Sequence, residues 1–259
     1  MSPTARGARI VAFLFLLFCS LIAVAGPFDG CPEYVKYGAP SENGDLLCRT
    51  GYAIEHDPAH KTPDWVAEHL TREKAMAVLA RSNNFKPDPD LEAGARAELK
   101  DYTKSGYDRG HMAPAGDMRW SKEAMDESFL LSNMAPQIGP GLNRGIWKNL
   151  EEKVRRWAVE RGELYIYTGP IYKAGAQHKS IGPDQVAVPD DFYKVVFDPV
   201  RDQAIAFIMP NAKLKTEDLP KYIVSVHEVE AETGLQFLSS IDPDVRQVIE
   251  AKKPAALWQ

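Results

Sequence analysis

Cysteine is scarce in this sequence, with three in 259 residues, at positions 19, 31 and 48. There is no internal repeat and no low-complexity tract, which excludes a repeat architecture. No long Gly/Ser linker interrupts the chain beyond its first 25 residues, so one domain is the default. A basic excess is also missing, because the formal net charge is −5. Proteins that coat nucleic acid rely on a broad basic surface. A storage or coating role is therefore disfavoured, whereas an enzyme that grips a backbone through a few arginines and a metal is not.

Long apolar runs are absent except at the start of the chain. Arg6 and Arg9 precede an apolar stretch over 10–24, which ends in Ala23-Val24-Ala25. This is the pattern of a secretory signal peptide. It predicts cleavage after Ala25, a mature chain at −7, and a secreted or periplasmic protein with no membrane association after cleavage. An uncleaved anchor is the rival reading, but the run is short for a bilayer. Cys19 would leave with the leader. Cys31 and Cys48 would then pair in an oxidising compartment, closing a short loop worth ~3 kcal/mol. Two free thiols are the alternative.

What is present beyond residue 25 is ordinary globular composition, 44% hydrophobic and 26% charged. Residues 26–50 read as a loop-rich lead-in punctuated by Pro and Gly. Stretches near 50–55, 65–70, 163–168, 192–198 and 203–209 are rich in Ile, Val, Tyr and Phe and read as strands. Residues 72–80 read as a helix, and 84–101 as a long functional loop. Ile146, Trp147, Leu150, Val154, Trp157 and Ala158 share one face of a helix predicted over 143–161. Further helices are expected at 217–232 and 243–252. Strands and helices do not alternate, so the pattern predicts an α+β fold with a mainly antiparallel sheet.

Three segments carry chemistry. They are Asp108-Arg109-Gly110-His111-Met112-Ala113-Pro114, then Ser132-Asn133-Met134-Ala135-Pro136-Gln137, then the helix start at Asn143 with Glu151 and Arg155 behind it. Phosphodiester hydrolysis needs a deprotonated water and a cation on the phosphate. A histidine suits the first task because its ordinary pKa is near neutrality. Arg109 can hold a phosphate bidentately, Gly110 lets backbone approach a substrate, and Asp108 can orient Arg109 or the loop. Positions 143, 147, 151 and 155 form an i,i+4 row, placing Asn143, Glu151 and Arg155 along one rim. Asn143 offers an oxygen suited to Mg²⁺, and Glu151 a carboxylate for metal-bound water.

Taken singly, each residue has a plainer reading. His111 is a satisfied loop histidine, Asn143 an N-cap, Glu151 and Arg155 a surface ion pair, and Asn133 a turn residue. His56 and His60 are four apart, but Pro58 between them argues against a helical zinc pair. His69, His178 and His227 have no identifiable partner, and substrate contact by Lys179 or Lys194 is left open.

Taken together, the three segments resemble the DNA/RNA non-specific endonuclease family, which includes Serratia- and Anabaena-type nucleases and endonuclease G. The likeness spans about residues 50–235. It implies a ββα-metal (His-Me finger) nuclease fold, with residues 26–259 as a single nuclease domain. By the same resemblance, His111 activates water and Asn143 is the sole direct protein ligand of a hydrated Mg²⁺, with Mn²⁺ as a substitute. Glu151 then holds metal-bound waters, while Arg109, Arg155 and the upstream Arg81 face phosphate. Asn133 supports His111 or its loop. His111 is read as a free base, not a metal ligand. DNA and RNA are the implied substrates. Some relatives are homodimers, and no inhibitor can be named. Two other functions stay open: a catalytically weak nucleic-acid-binding protein of this fold, and a small-nucleotide phosphodiesterase.

Overall fold

Near-continuous apolar runs build the centre of the fold. A computed structural model describes residues 26–259. The expected leader, with Cys19 and the cleavage point after Ala25, lies outside the described residues. Along the chain come β1 (Asp45–Cys48), β2 (Ala53–Asp57), β3 (Thr62–Thr71), α1 (Arg72–Met76) and α2 (Leu99–Tyr102). Then follow β4 (Asp108–His111), α3 (Lys122–Glu127), β5 (Met134–Gln137), α4 (Lys148–Arg161), β6 (Glu163–Ile171), β7 (Ser180–Ile181) and β8 (Val186–Ala187). The chain finishes with β9 (Asp191–Asp198), β10 (Gln203–Pro210), β11 (Ile223–Val224), α5 (Val226–Thr233) and α6 (Pro243–Ala251).

Seven strands form one antiparallel sheet in the order β1-β2-β3-β6-β9-β10-β11. Both faces are covered, which is why every residue of β9 is buried and its apolar run does not alternate with exposed polar residues. Alternation instead chooses the face. Val66 and Leu70 of β3, Leu164 and Ile166 of β6, and Phe192 and Val196 of β9 pack against Trp147, Leu150, Val154 and Trp157. Trp65, Ala67, Tyr165, Tyr167, Val195 and Phe197 point the other way, toward Phe28, Tyr34, Val226, Val229 and Ile249. The first face carries α4 and the candidate site. The second carries the lead-in and the C-terminal helices. Cys31 and Cys48 are disulfide-bonded, with Cα atoms 5.6 Å apart, tying the lead-in to β1.

The segments singled out in the sequence form a separate small ribbon. β4 pairs antiparallel with β5, setting His111 opposite Met134 and Arg109 opposite Pro136. Ribbon and α4 together give the ββα unit. Gly110 serves this pairing: a Cβ there would run into the Gln137 side chain from the facing strand. Its lack of a side chain is therefore what admits Gln137.

Several elements differ from expectation. β1 lies inside the stretch read as loop, because Leu46 and Leu47 pair with Glu55 and Ile54 across a tight turn. The helix expected from 143 becomes regular only at Lys148. Before it, Gly139–Trp147 is an irregular helical segment broken at Pro140, Gly141 (φ +87°) and Gly145 (φ −124°, ψ −109°). The helix expected over 217–232 is divided. Pro220 sits in a tight turn-like helix over Thr216–Tyr222, β11 follows, and Ser225 and Glu228 cap the start of α5 reciprocally. That Ser-x-x-Glu box was readable in the sequence. α1 stops at Met76, and the 84–101 loop ends in α2.

Candidate active site

His111 ends β4, and its place is set by what surrounds the ring. The imidazole is 8% exposed. It packs edge-on against Phe129 (centroids 5.0 Å apart) and Phe85 (5.6 Å). Nε2 is buried and has no hydrogen-bond partner among the described residues, which leaves Nδ1 as the nitrogen turned to the cleft. Burial pushes the pKa down to about 3, and Arg81 and Arg109 push in the same direction. A ring in this setting is neutral throughout the neutral range, so it can accept a proton.

The chain leaving His111 is braced by Asn133. Its Oδ1 accepts from Ala113 N (2.8 Å), and its Nδ2 donates to the carbonyls of Ala113 and Ser128 (2.9 Å each). Met112 N also donates to Asn133 O at 3.0 Å. Asn133 thus holds the loop, and none of these hydrogen bonds goes to the ring.

Across the cleft, Asn143 lies before α4, so the i,i+4 row drawn from it is interrupted at Gly145. The irregular segment nonetheless brings it to the same rim. Its Nδ2 donates to Asp108 Oδ2 (2.9 Å), which leaves Oδ1 as the available ligand atom. Asp108 also meets Arg144 Nε at 3.1 Å. Asp108 therefore orients Asn143 and Arg144. It does not orient Arg109, whose guanidinium stacks over Phe85 at 4.2 Å.

Glu151, in the first turn of α4, has its carboxyl pushed up to about 7 by burial, against the pull of Lys194 and Arg155. Arg155 pairs with the buried Asp117 at 2.6 Å. The expected plain reading, a Glu151–Arg155 surface pair, gives way to this arrangement.

One cleft of about 570 Å³ contains Arg81, Asp108, Arg109, His111, Asn143, Glu151 and Arg155 in its lining. Asn133 stands behind the wall. Sequence reasoning gave no role to Arg144 and Lys148, which also line it, nor to Phe85, Tyr102 and Tyr107. Arg144 and Lys148 sat within view, beside Asn143 and one helical turn before Glu151. Asp117 carried no signal, because its partner is 38 residues away. The lining sets five cationic side chains against two carboxylates, so the cleft is locally positive on an acidic protein. Such a field draws polyanions inward.

Other candidates fall elsewhere. Lys194 is buried on β9, donates to Thr168 Oγ1 and lies behind the wall of the cleft, where its charge acts on Glu151. His69 meets Glu163 (2.7 Å), His178 meets Asp190 (3.1 Å), and His60 meets Asp57 (2.5 Å). His56 Nε2 lies 2.9 Å from Ala95 O. His227 joins Glu230 and Glu250 between α5 and α6. Arg246 already stands 3.6 Å from Glu250, so this group reads as an ion-pair cluster.

A titration prediction follows from Glu151. Its raised pKa means that it holds a proton until pH rises through about 7. A dication prefers the carboxylate and competes with that proton. Divalent-cation affinity is expected to climb with pH up to about 7 and then level, with Glu151→Gln removing the slope. Calorimetric titration at a series of pH values reads this directly.

Comparison with known proteins gives a consistent picture. The family profile described as DNA/RNA non-specific endonuclease matches residues 32–244. Nuclease C1 of Cunninghamella echinulata var. echinulata is 37% identical over 222 residues, covering 80% of this chain and 88% of its own. The mitochondrial endonuclease G of Caenorhabditis elegans is 36% identical, covering 87% and 78%. A crystal structure of an EndoG/EndoGI complex, described in terms of EndoG inhibition, superposes with TM-score 0.77 at 34% identity, covering 85% and 94%.

The expected secreted or periplasmic location is corrected by these relatives. Those whose names state a location, from yeasts, a nematode and vertebrates, are mitochondrial. They point to a mitochondrial location instead. A basic start followed by an apolar run does not name a compartment, and that is where the sequence reading failed.

Proposed function

The chain belongs to the DNA/RNA non-specific endonuclease family and is a phosphodiester-cleaving endonuclease; from that premise we propose that it cuts DNA and RNA with Mg²⁺, His111 being the general base. The observation that carries this reading is the convergence in one positive cleft of an unprotonated His111, Asn143 and Glu151. We also assign residues 26–259 to a single catalytic domain, since both core layers share one sheet.

The residues fit a hydrated Mg²⁺. Asn143 Oδ1 is a hard oxygen donor, the Glu151 carboxylate would accept from metal-bound waters, and Mg²⁺ takes few protein ligands and keeps its waters. Asp108 fixes the Asn143 amide with its oxygen free. Glu151, held near neutrality by burial, gains its charge beside a cation. When bound, the metal neutralises charge on the phosphate and on the leaving oxygen.

His111 Nδ1 takes the proton of the attacking water as its oxygen bonds phosphorus and the bond to the leaving oxygen breaks. The ring is neutral at working pH and free to accept that proton; burial, Arg81 and Arg109 lower its basicity, and a phosphate that neutralises the two arginines raises it again. Arg109, Arg155 and Arg81 face the phosphates. Contacts of this kind read the backbone and not the bases, which supports low sequence preference.

Plasmid DNA, RNA and a small phosphodiester distinguish this from its rivals. The proposal expects the two polymers to be cut and the small diester to be poor. Binding without cleavage in Mg²⁺ or Mn²⁺ would favour an inactive binding domain, and preference for the small diester a nucleotide phosphodiesterase.

A further inference from the structure

A buried polar chain joins the disulfide end of β1 to the walls of the histidine site. Arg49 follows Cys48, and its side chain is only 7% exposed. Its Nη2 donates to both oxygens of Asp88, at 2.7 and 2.6 Å. Asp88 is fully buried, and its Oδ2 also accepts from Ser132 Oγ at 2.5 Å. Ser132 is 1% exposed and directly precedes Asn133, the residue that braces Ala113.

The same stretch is stitched a second time through the backbone. Lys86 N donates to Phe129 O (3.3 Å), and Leu131 N to Lys86 O (2.9 Å). Phe85 and Phe129 on either side of this seam are the rings packed against His111. Asp88 therefore anchors Ser132, the residue before the Asn133 brace, two residues beyond the Lys86 seam that holds the Phe85 and Phe129 segments together. Arg49 is the cation that makes a buried carboxylate tolerable there. Arg49 is itself located by the disulfide next to it and by its own N–H to Tyr52 O (2.8 Å).

We propose that Arg49, acting through Asp88 and Ser132, is a positioning residue for His111. None of the three lines the cleft. The inference rests on His111 being the base, as proposed above. Small displacements of a catalytic group lower turnover steeply and leave substrate binding nearly untouched. Arg49→Lys keeps the charge and loses the paired N–H groups. It is expected to lower kcat about tenfold with KM within about twofold. Ser132→Ala removes one hydrogen bond and is expected to lower kcat a few-fold. This milder variant carries the test if Arg49→Lys does not fold.

The distinguishing measurement places each substitution in a His111→Ala background and follows residual plasmid nicking. If Arg49 works through the histidine, adding Arg49→Lys or Ser132→Ala causes no further loss. An equal fractional loss in both backgrounds, or a change confined to KM, overturns the proposal. Failure of the underlying reading looks different, because His111→Ala alone would then retain wild-type cleavage.

Discussion

Replacing His111 with alanine is expected to reduce nicking of supercoiled plasmid by about 10²–10⁴-fold, the range that a positioned general base contributes. Folding should be retained. The ring packs against Phe85 and Phe129, and Nε2 has no hydrogen-bond partner to lose. The substitution also removes a group that folding holds neutral. Its depressed pKa, about 3 against 6.5, disfavours the native state as pH falls from 6.5 toward 3. The variant should therefore be less sensitive to acid over that window. Loss of cleavage with a native circular-dichroism spectrum is the expected pair of results. Wild-type turnover in the variant would remove His111 from the mechanism.

The second large effect concerns Asn143. Asn143→Ala deletes the amide oxygen at this rim, and it leaves Asp108 with Arg144. Cleavage at a fixed low Mg²⁺ concentration is expected to fall by about 10²-fold, the upper end for loss of groups that hold or orient a metal. Raising Mg²⁺ should recover part of it. Asp108→Asn, which alters the partner of Asn143 while keeping Asn143 itself, should give a smaller shift in the same direction. A Mg²⁺ titration of activity that is superimposable on wild type would exclude Asn143 as the ligand.

The sequence made some parts of this molecule legible and hid others for identifiable reasons. The apolar stripe from Ile146 to Ala158 was readable because helix periodicity survives wherever one face is buried, and all six of its residues are buried. Strands such as Asp191–Asp198 were readable as β-branched and aromatic runs bounded by turns. The ribbon of β4 and β5 was not. Asp108-Arg109-Gly110-His111 and Met134-Ala135-Pro136-Gln137 have little strand propensity, and only their mutual register makes them strands. The irregular segment before Lys148 was hidden likewise, because Gly145 breaks a helix that the apolar spacing would continue.

At the site, residue types and spacing picked out side chains that the fold brings together, since His111, Asn143, Glu151 and three arginines line one cleft. Their partnerships were less accessible. That Asp108 serves Asn143, that Arg155 belongs to Asp117, and that Lys194 lies buried under the sheet face all depend on distances between residues remote in sequence. The location was misread for a different reason: a basic start and an apolar run do not name a compartment, and the relatives whose names state one are mitochondrial.

The central claim is that this cleft performs metal-dependent cleavage of both nucleic acids. The most direct test incubates the protein comprising residues 26–259 with plasmid and with RNA, in Mg²⁺, in EDTA, and in EDTA followed by excess Mg²⁺. The account predicts cleavage of both polymers in Mg²⁺, none in EDTA, and full recovery on metal return. Cleavage that persists in EDTA, or binding of either polymer without cleavage in Mg²⁺, would contradict it.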